Sequence, residues 1–350
     1  MGDVKCLALA VVILGSAGLA HAQSALPLRA EVPVKEIILS DGTRRYSVPI
    51  TVGATEILAG LDTGSTGLRI LPNVLKDSDA RRTGRVDTYS YSAGAKLAGV
   101  VAEASVSVGD LSGSTTVQLA QQVGCSDEQP KCVAGSIPLS QYGVQGNGLP
   151  GEGFKAILGV NMAGADVASL FSGIGAQRWI VDLPRPGESN SGRIVLNPTD
   201  AEVQGFVSLP ILDQFADRRG GAHDAIAGCL INETTHEKLC GAVVLDTGAP
   251  GIRVVARDIS RTPWPKATPA TLVLADAAGR VRAAEKLVIG QSDQTSHLAF
   301  EQRDQVQTRM IFVGLTPYFA YSILYDPVHK TVGFKPRHPA PLGPSPIVVN

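Results

Sequence analysis

The sequence predicts a mainly β fold made of two duplicated halves. Short runs that alternate apolar and polar residues recur at 46–52, 100–108, 192–196 and 271–274, and such alternation is typical of strands with one buried face. The chain contains 38 Gly and 22 Pro, which separate these runs with turns. Residues 58–71 (LAGLDTGSTGLRIL) match residues 242–255 (AVVLDTGAPGIRVV). A repeat of this kind indicates a duplicated domain.

The N-terminal segment 1–22 has the pattern of an export signal. Lys5 precedes an apolar stretch at 7–14, and Ala20-His21-Ala22 forms a small-x-small cleavage site before Gln23. A membrane anchor is the alternative, but a span needs about 20 apolar residues, and this stretch is shorter. We therefore expect a cleaved signal peptide at 1–22 and an exported protein, periplasmic or extracellular, with no membrane anchor.

Charge and motifs exclude several classes of function. The 31 basic and 32 acidic residues give a formal net charge of −1, and no dense Lys/Arg run suggests a nucleic-acid partner. The sequence contains neither an HExxH helix motif nor a G-x-S-x-G nucleophile motif, which disfavours zinc and serine hydrolases. We expect no metal or other cofactor, no nucleic acid, and a monomer.

The cysteines outside the signal form two close pairs, Cys125 with Cys132 and Cys229 with Cys240. An oxidising compartment favours disulfides, and proximity in sequence favours local pairing. A zinc site and free buried thiols are the alternatives. Neither pair has the two-residue gap of a zinc knuckle, and the six His are scattered.

The predicted organisation follows from the repeat. We expect an N-terminal lobe at 23–198, which ends after the strand at 192–196, and a C-terminal lobe at 199–336. The proline-rich segment 337–350 is expected to be an extended tail. Helical patterns are scarce, and short helices are predicted only at 164–171 and around Tyr318.

Each copy of the repeat places Asp-Thr-Gly directly after an apolar strand, at Asp62 and at Asp246. In such a loop Gly64 and Gly248 allow close approach of the backbone to the carboxyl oxygens, while Thr63 and Thr247 can hold the opposite loop by hydroxyl hydrogen bonds. Two facing loops would bring two carboxyls to one water. Such a pair shares one proton, so that one Asp acts as general base while its partner polarises a carbonyl. One Asp-Thr-Gly usually marks only a turn, but two mirrored copies favour catalysis.

With these motifs the chain resembles the pepsin-like aspartic peptidases over nearly all of its mature length. Ile157-Leu158-Gly159 and Phe312-Val313-Gly314 are similar to the hydrophobic-hydrophobic-Gly strands of that family, and SILYDPVHKTVGF at 322–334 is similar to its closing segment. The segment after residue 90 resembles the family's flap hairpin, which makes Tyr91, before Gly94, the expected flap residue and Tyr89 the fallback. The resemblance implies a two-lobed fold with a cleft, catalytic Asp62 and Asp246, and a polypeptide substrate.

The chain also departs from the family pattern. The stretch between Asp62 and Tyr91 is shorter than in digestive pepsins, and Arg69 replaces the Trp usual after the first loop. Arg253 repeats this arginine after the second loop. We interpret both as solvated or ion-paired side chains rather than substrate contacts.

The loop supports differ as well, because Ser65 follows the first Asp-Thr-Gly and Ala249, which has no hydroxyl, follows the second. Because the connection to Tyr91 is short and Arg69 is unusual, a non-catalytic pepsin-like protein that binds a peptide or glycan in the same cleft remains the alternative to an aspartic endopeptidase. A glycosidase with a carboxylate pair is a more distant one, because it does not need mirrored loops.

Overall fold

The computed structural model describes residues 28–162, 167–188, 192–212, 223–260, 262–293, 295–304 and 306–337. The predicted signal peptide 1–22 and nearly all of the predicted tail 337–350 lie outside these residues. Within them the chain forms strands β1 Ala30–Ile38, β2 Arg44–Val52, β3 Thr55–Asp62, β4 Thr66–Ile70, β5 Ala80–Ser90, β6 Ala95–Val108, β7 Leu111–Cys125, β8 Ala156–Val160, β9 Trp179–Asp182, β10 Gly192–Leu196, β11 Val207–Pro210, β12 Ile226–Asn232, β13 Lys238–Val244, β14 Ile252–Ala256, β15 Pro269–Ala275, β16 Val281–Val288, β17 Leu298–Gln302, β18 Met310–Val313, β19 Tyr321–Asp326 and β20 Thr331–Pro336. The helices are α1 Leu170–Gly173, α2 Asp200–Val203 and α3 Thr316–Ala320, with a single 3-10 turn at Val133–Gly135.

These strands form two large sheets, which confirms the prediction of a mainly β protein. The first sheet has the order β11-β20-β19-β9-β10-β1-β2-β3-β8-β4-β7-β6-β5. The second has the order β16-β15-β12-β13-β18-β14-β17. The four runs that alternate in the sequence all lie in strands, namely β2, β6, β10 and β15.

The sequence repeat corresponds to a repeat in topology. In the first sheet β8 lies between β3 and β4, parallel to β3 and antiparallel to β4, and β7 runs parallel to β4. In the second sheet β18 lies between β13 and β14 with the same directions, and β17 runs parallel to β14. The matching segments 58–71 and 242–255 therefore occupy equivalent positions in two similar four-strand units.

A glycine lets the middle strand of each unit pass beside its Asp-Thr-Gly loop. A Cβ atom on Gly159 would lie 2.7 Å from the backbone oxygen of Ser65. A Cβ atom on Gly314 would lie 2.8 Å from the oxygen of Gly251 and 2.9 Å from that of Ala249. Side chains essentially never approach backbone this closely, so both hydrophobic-hydrophobic-Gly segments require glycine for the same reason.

The two halves of the chain share the first sheet. Strands β11, β19 and β20 come from the segment 199–336, yet β19 pairs with β9, and β9 with β10, near the end of the segment 23–198. The 322–334 segment forms the β19–β20 hairpin. Trp179 stacks on Tyr325 across this junction, with ring centroids 6.0 Å apart. The junction between the halves is therefore a continuous sheet with a buried aromatic contact.

One hydrophobic core joins both sheets, with residues such as Val48, Leu158, Val243 and Ile311 in a single buried cluster. The helices are short. The predicted helix around Tyr318 is confirmed as α3, but the helix expected at 164–171 begins only at Leu170, with residues 163–166 outside the described chain. No helix in the described ranges is long and apolar enough to cross a membrane.

Candidate active site

The two Asp-Thr-Gly loops meet between the four-strand units. Asp62 ends β3, and Asp246 lies two residues beyond the end of β13. Both side chains are buried, at 4% and 8% exposure. Two carboxyls are therefore held inside the protein, and both line the same cleft.

Four hydrogen bonds join the loops reciprocally through Thr63 and Thr247. The Thr63 hydroxyl donates to the Leu245 oxygen at 2.9 Å, and the Thr247 hydroxyl donates to the Leu61 oxygen at 2.9 Å. Each hydroxyl oxygen also accepts from the backbone N–H of the other threonine, at 3.1 and 3.0 Å. This network fixes the two loops, and hence the two carboxyls, relative to each other.

Each loop glycine lies against the opposite carboxyl. A Cβ atom on Gly64 would lie 2.5 Å from Cγ of Asp246, and one on Gly248 would lie 2.8 Å from Oδ1 of Asp62. Any side chain at either position would displace the facing carboxyl. The glycines therefore permit the close pairing of Asp62 and Asp246.

The hydrogen bonds to the two carboxyls are unequal. Asp62 accepts from the Gly64 N–H at 2.9 Å and from the Ser65 hydroxyl at 2.8 Å. Asp246 accepts from the Gly248 N–H at 2.9 Å. Ala249, at the position equivalent to Ser65, has no hydroxyl to donate. The pair is therefore asymmetric although the loops are alike.

The environment of the pair favours retention of a proton. Burial, and then the negative charge of Asp246, raise the pKa of Asp62 to about 7, although the Ser65 and Gly64 donors act in the opposite direction. Two carboxyls so close cannot both ionise at mildly acidic pH, so the proton belongs to the pair. The site can therefore offer one acid and one base at the same time.

Two tyrosines support the first loop, and no sequence motif indicates this contact. The Tyr318 hydroxyl donates to Thr63 Oγ1 at 2.8 Å and lies 2.6 Å from the Tyr325 hydroxyl. Burial raises the pKa of both hydroxyls, so they stay protonated. They come from α3 and β19, far from Thr63 in sequence, and only the folded chain brings them together.

The expected flap is a hairpin that borders the cleft. Strands β5 and β6 are joined by a turn in which the Tyr91 N–H donates to the Ala95 oxygen and the Gly94 N–H donates to the Tyr91 oxygen, both at 2.8 Å. Gly94 has φ +92°, a conformation that favours glycine. Tyr91 packs against a buried cluster that includes Leu97 and Tyr142, and burial raises the pKa of its hydroxyl. Tyr89 also lines the cleft, and its ring centroid lies 4.9 Å from that of Tyr91.

The two repeated arginines have different environments. Arg69 is 2% exposed, and its guanidinium lies 3.6 Å from the centroid of the Tyr89 ring. The interpretation of Arg69 as solvated or ion-paired is therefore wrong, because the side chain is buried and forms no ion pair with a described residue. It packs against the ring of Tyr89 on β5 instead. Arg253 agrees with the interpretation as ion-paired, since it lies 3.7 Å from the Glu301 carboxylate. Its Nη1 also donates to the Ser92 oxygen at 3.3 Å.

The cleft has a volume of about 420 Å³, and its lining includes both aspartates, the hairpin turn and several residues outside the predicted site, among them Arg45, Gln145 and His223. The Gln145 side chain donates from Nε2 to the Leu61 oxygen at 3.2 Å. The His223 ring donates from Nδ1 to the Gly64 oxygen at 3.1 Å. Both therefore contact the backbone of the first Asp-Thr-Gly region, and neither lies in a sequence motif that could have predicted this.

Both predicted disulfide pairings are present, as Cys125–Cys132 and Cys229–Cys240. The second joins directly paired residues of β12 and β13. The first lies beside the hairpin turn, where a Cβ atom on Gly94 would be 2.9 Å from Cβ of Cys132. No cluster of His, Cys, Asp or Glu suited to a metal ion occurs in the described ranges.

The sequence matches no protein-family model and no curated protein.

Proposed function

We propose that this protein is a pepsin-like, two-lobed aspartic endopeptidase, exported from the cell and active as a monomer on polypeptides. One observation carries the proposal: two buried carboxyls, Asp62 and Asp246, face each other across loops that are joined by reciprocal threonine hydrogen bonds. A binding protein needs no such proton-sharing pair, whereas hydrolysis by an activated water does.

The first chemical step uses both members of the pair. The ionised carboxylate takes a proton from a water molecule while the water oxygen bonds to the carbonyl carbon of the peptide. The protonated carboxyl donates to the carbonyl oxygen, which accepts the electron pair of the broken π bond. The product is a neutral tetrahedral diol, and the pair again holds one proton.

The second step reverses these roles. One carboxyl transfers a proton to the amide nitrogen, the C–N bond breaks, and its electron pair leaves with the nitrogen as an amine. The other carboxylate accepts a proton from a diol hydroxyl as the new carboxylic acid forms. Because each step moves a proton through the pair, a fixed geometry between Asp62 and Asp246 is essential.

The β5–β6 hairpin supports the proposal because it can cover an extended peptide. Tyr91 and Ser92 line the cleft that contains the two aspartates. Closure of such an element excludes water and orients the scissile bond. The two disulfides accord with an oxidising, extracytoplasmic compartment.

Digestion of a denatured protein tests the proposal. Purified mature protein is incubated with reduced, carboxymethylated β-casein from pH 3 to 7, with and without a statine-type inhibitor. We expect mildly acidic hydrolysis that the statine blocks and that EDTA and a serine-protease inhibitor leave unchanged. Absence of cleavage from pH 3 to 7, or cleavage that the statine does not inhibit, would contradict the proposed function.

A further inference from the structure

The charges that line the cleft are unbalanced. Apart from Asp62 and Asp246, the described lining contains no carboxylate, but it contains two arginines, Arg45 and Arg253, and two histidines, His223 and His297. Low-dielectric walls concentrate the field of such groups on a ligand. The cleft is therefore suited to an anionic group, apart from the point occupied by the catalytic pair.

Arg45 is the residue with the least satisfied charge in this lining. It lies on β2, is 5% exposed, and donates from Nε to the Gln145 oxygen at 2.8 Å. Its Nη1 is buried and has no hydrogen-bond partner among the described residues. Burial lowers the pKa of Arg45, and the negative charges of Asp246 and Asp62 act against this. Arginine nevertheless remains charged in proteins, so a buried donor of this kind is costly unless it gains a partner.

Two other arginines near the cleft differ from Arg45 because each has an ion-pair partner. Arg44, adjacent on the same strand, forms an ion pair with Glu36. Arg253 lies 3.7 Å from Glu301 and donates to the Ser92 oxygen. No carboxylate of the described chain lies within ion-pair distance of Arg45. A carboxylate brought by a ligand would supply the missing partner.

We propose that Arg45 is a specificity-determining residue that binds the carboxylate of an acidic side chain in the substrate. This inference rests on the proposed peptidase function and adds the substrate class, namely polypeptides with Asp or Glu at one position near the scissile bond. A guanidinium suits this task because its planar donors match a carboxylate and because its charge persists at the acidic pH at which the pair works.

The same chemistry predicts a pH signature. A free Glu side chain has a pKa of about 4.3, so the substrate carboxylate is ionised at pH 6 and largely neutral at pH 3. The preference for Glu over Gln is therefore expected to fall as the pH falls, independently of how the catalytic pair titrates. A preference based only on shape would not change in this way.

The test begins with the wild-type protein. The best cleavage site found in β-casein is made as a peptide series in which each position, from four residues before to three residues after the scissile bond, carries either Glu or Gln. At one position we expect kcat/KM at pH 6 to favour Glu about tenfold, the usual weight of one hydrogen bond between charged groups. That ratio should approach one at pH 3.

Variants identify the residue responsible. Arg45→Gln should remove the Glu preference while hydrolysis of the Gln peptide continues, and Arg45→Lys should restore part of it. Arg44→Gln is the matched control, because it removes the same charge from the same strand at a residue outside the cleft lining, and the preference should persist. Thermal unfolding checks that each variant is folded. If Arg45→Gln does not fold, the proposal is judged by the wild-type protein alone, from whether its Glu-to-Gln ratio of kcat/KM falls between pH 6 and pH 3.

The outcomes separate this inference from the proposed function. If kcat/KM is equal for the Glu and Gln peptides at every position, or if the preference for Glu persists in folded Arg45→Gln, the role of Arg45 is overturned. Either result leaves the proposed peptidase function unaffected. If no peptide is cleaved, fluorescein-labelled random octapeptides with one fixed Glu or Gln are measured by anisotropy. Glu-selective binding that Arg45→Gln removes then supports acid recognition in a non-catalytic cleft, whereas equal or absent binding overturns both proposals.

Discussion

Ser65 and Ala249 occupy equivalent positions in the two Asp-Thr-Gly loops, but only Ser65 donates to its aspartate. Its hydroxyl lies 2.8 Å from Asp62 Oδ2 and lowers the pKa of that carboxyl against the larger effects of burial and Asp246. A hydrogen bond to the charged form of an acid favours ionisation. The donors at these two positions therefore affect the pH at which each carboxyl of the pair loses its proton.

Two substitutions at this point should move different limbs of the pH–activity profile in opposite directions. Ala249→Ser adds a donor to the second carboxylate, so the pair should lose its first proton at lower pH and the acid limb should move down by up to about one pH unit. Ser65→Ala removes the donor from Asp62, raises the pKa of that carboxyl further above about 7, and should move the alkaline limb up. The measurement is the pH dependence of kcat/KM on one peptide. Superimposed limbs, or shifts of reversed sign, would refute this account of the asymmetry.

At the scale of elements, the β5–β6 hairpin is held by contacts from outside itself. Gln129 donates from its side-chain amide to the Ser92 oxygen at 3.0 Å, and the Ser126 N–H donates to the Gly94 oxygen at 2.8 Å. Both donors lie in the loop closed by Cys125–Cys132. The disulfide loop therefore supports the turn that carries Tyr91.

Tyr91→Ala should lower kcat/KM by at least about tenfold without unfolding the protein, because the hairpin would lose a ring that lines the cleft of the two aspartates. Tyr91→Phe is the control that keeps the ring, and it should retain most activity. Kinetics are compared with the circular dichroism spectrum of each variant. If Tyr91→Ala leaves kcat/KM unchanged and Tyr89→Ala lowers it, the flap residue is Tyr89 and not Tyr91.

Joint replacement of Cys125 and Cys132 by Ser should destabilise the protein by about 2–3 kcal/mol through the entropy of the opened loop. The amides of 91–95 should exchange hydrogen faster as well, since their supporting loop is loosened. Replacement of Cys229 and Cys240 is the control, because that disulfide links β12 to β13 away from the hairpin. Equal exchange at 91–95 in both double variants would show that the first disulfide does not hold the turn.

The sequence predicts the elements next to the repeat better than those that depend on long-range pairing. The Asp-Thr-Gly loops and their glycines follow from a local pattern that appears twice, so their positions could be predicted. Arg45, Gln145 and Tyr318 reach the site from β2, a loop and α3. Their contacts depend on which distant strands pair, and the local sequence pattern does not predict that pairing. Arg69 was misinterpreted for the same reason, because its burial depends on Tyr89 from another strand.

At the scale of the whole molecule, the Asp62–Asp246 pair should link stability to pH. The folded-state pKa of Asp62, about 7, exceeds its usual value of 3.8. A carboxyl of this kind stabilises the folded state most when it is protonated, so its contribution is full below pH 4 and is lost as the pH rises through 7.

Relative to Asp62→Asn, the wild type should therefore lose up to about 4 kcal/mol of unfolding free energy between pH 4 and pH 7. Urea unfolding followed by tryptophan fluorescence at several pH values measures the difference. Because every other titrating group is common to both proteins, the comparison isolates the pair. Parallel pH dependences of the two proteins would contradict the raised pKa.

The central claim is that Asp62 and Asp246 act as one unit, and kcat/KM for Asp62→Asn, Asp246→Asn and the double variant on one peptide tests it most directly. Asparagine keeps the size of the side chain but removes the shared proton. We predict that each single variant loses at least about 10³-fold in kcat/KM and that the double variant loses little more, because residues that act together are strongly non-additive. Retained hydrolysis in both single variants, with the folded state intact by circular dichroism, would contradict the claim.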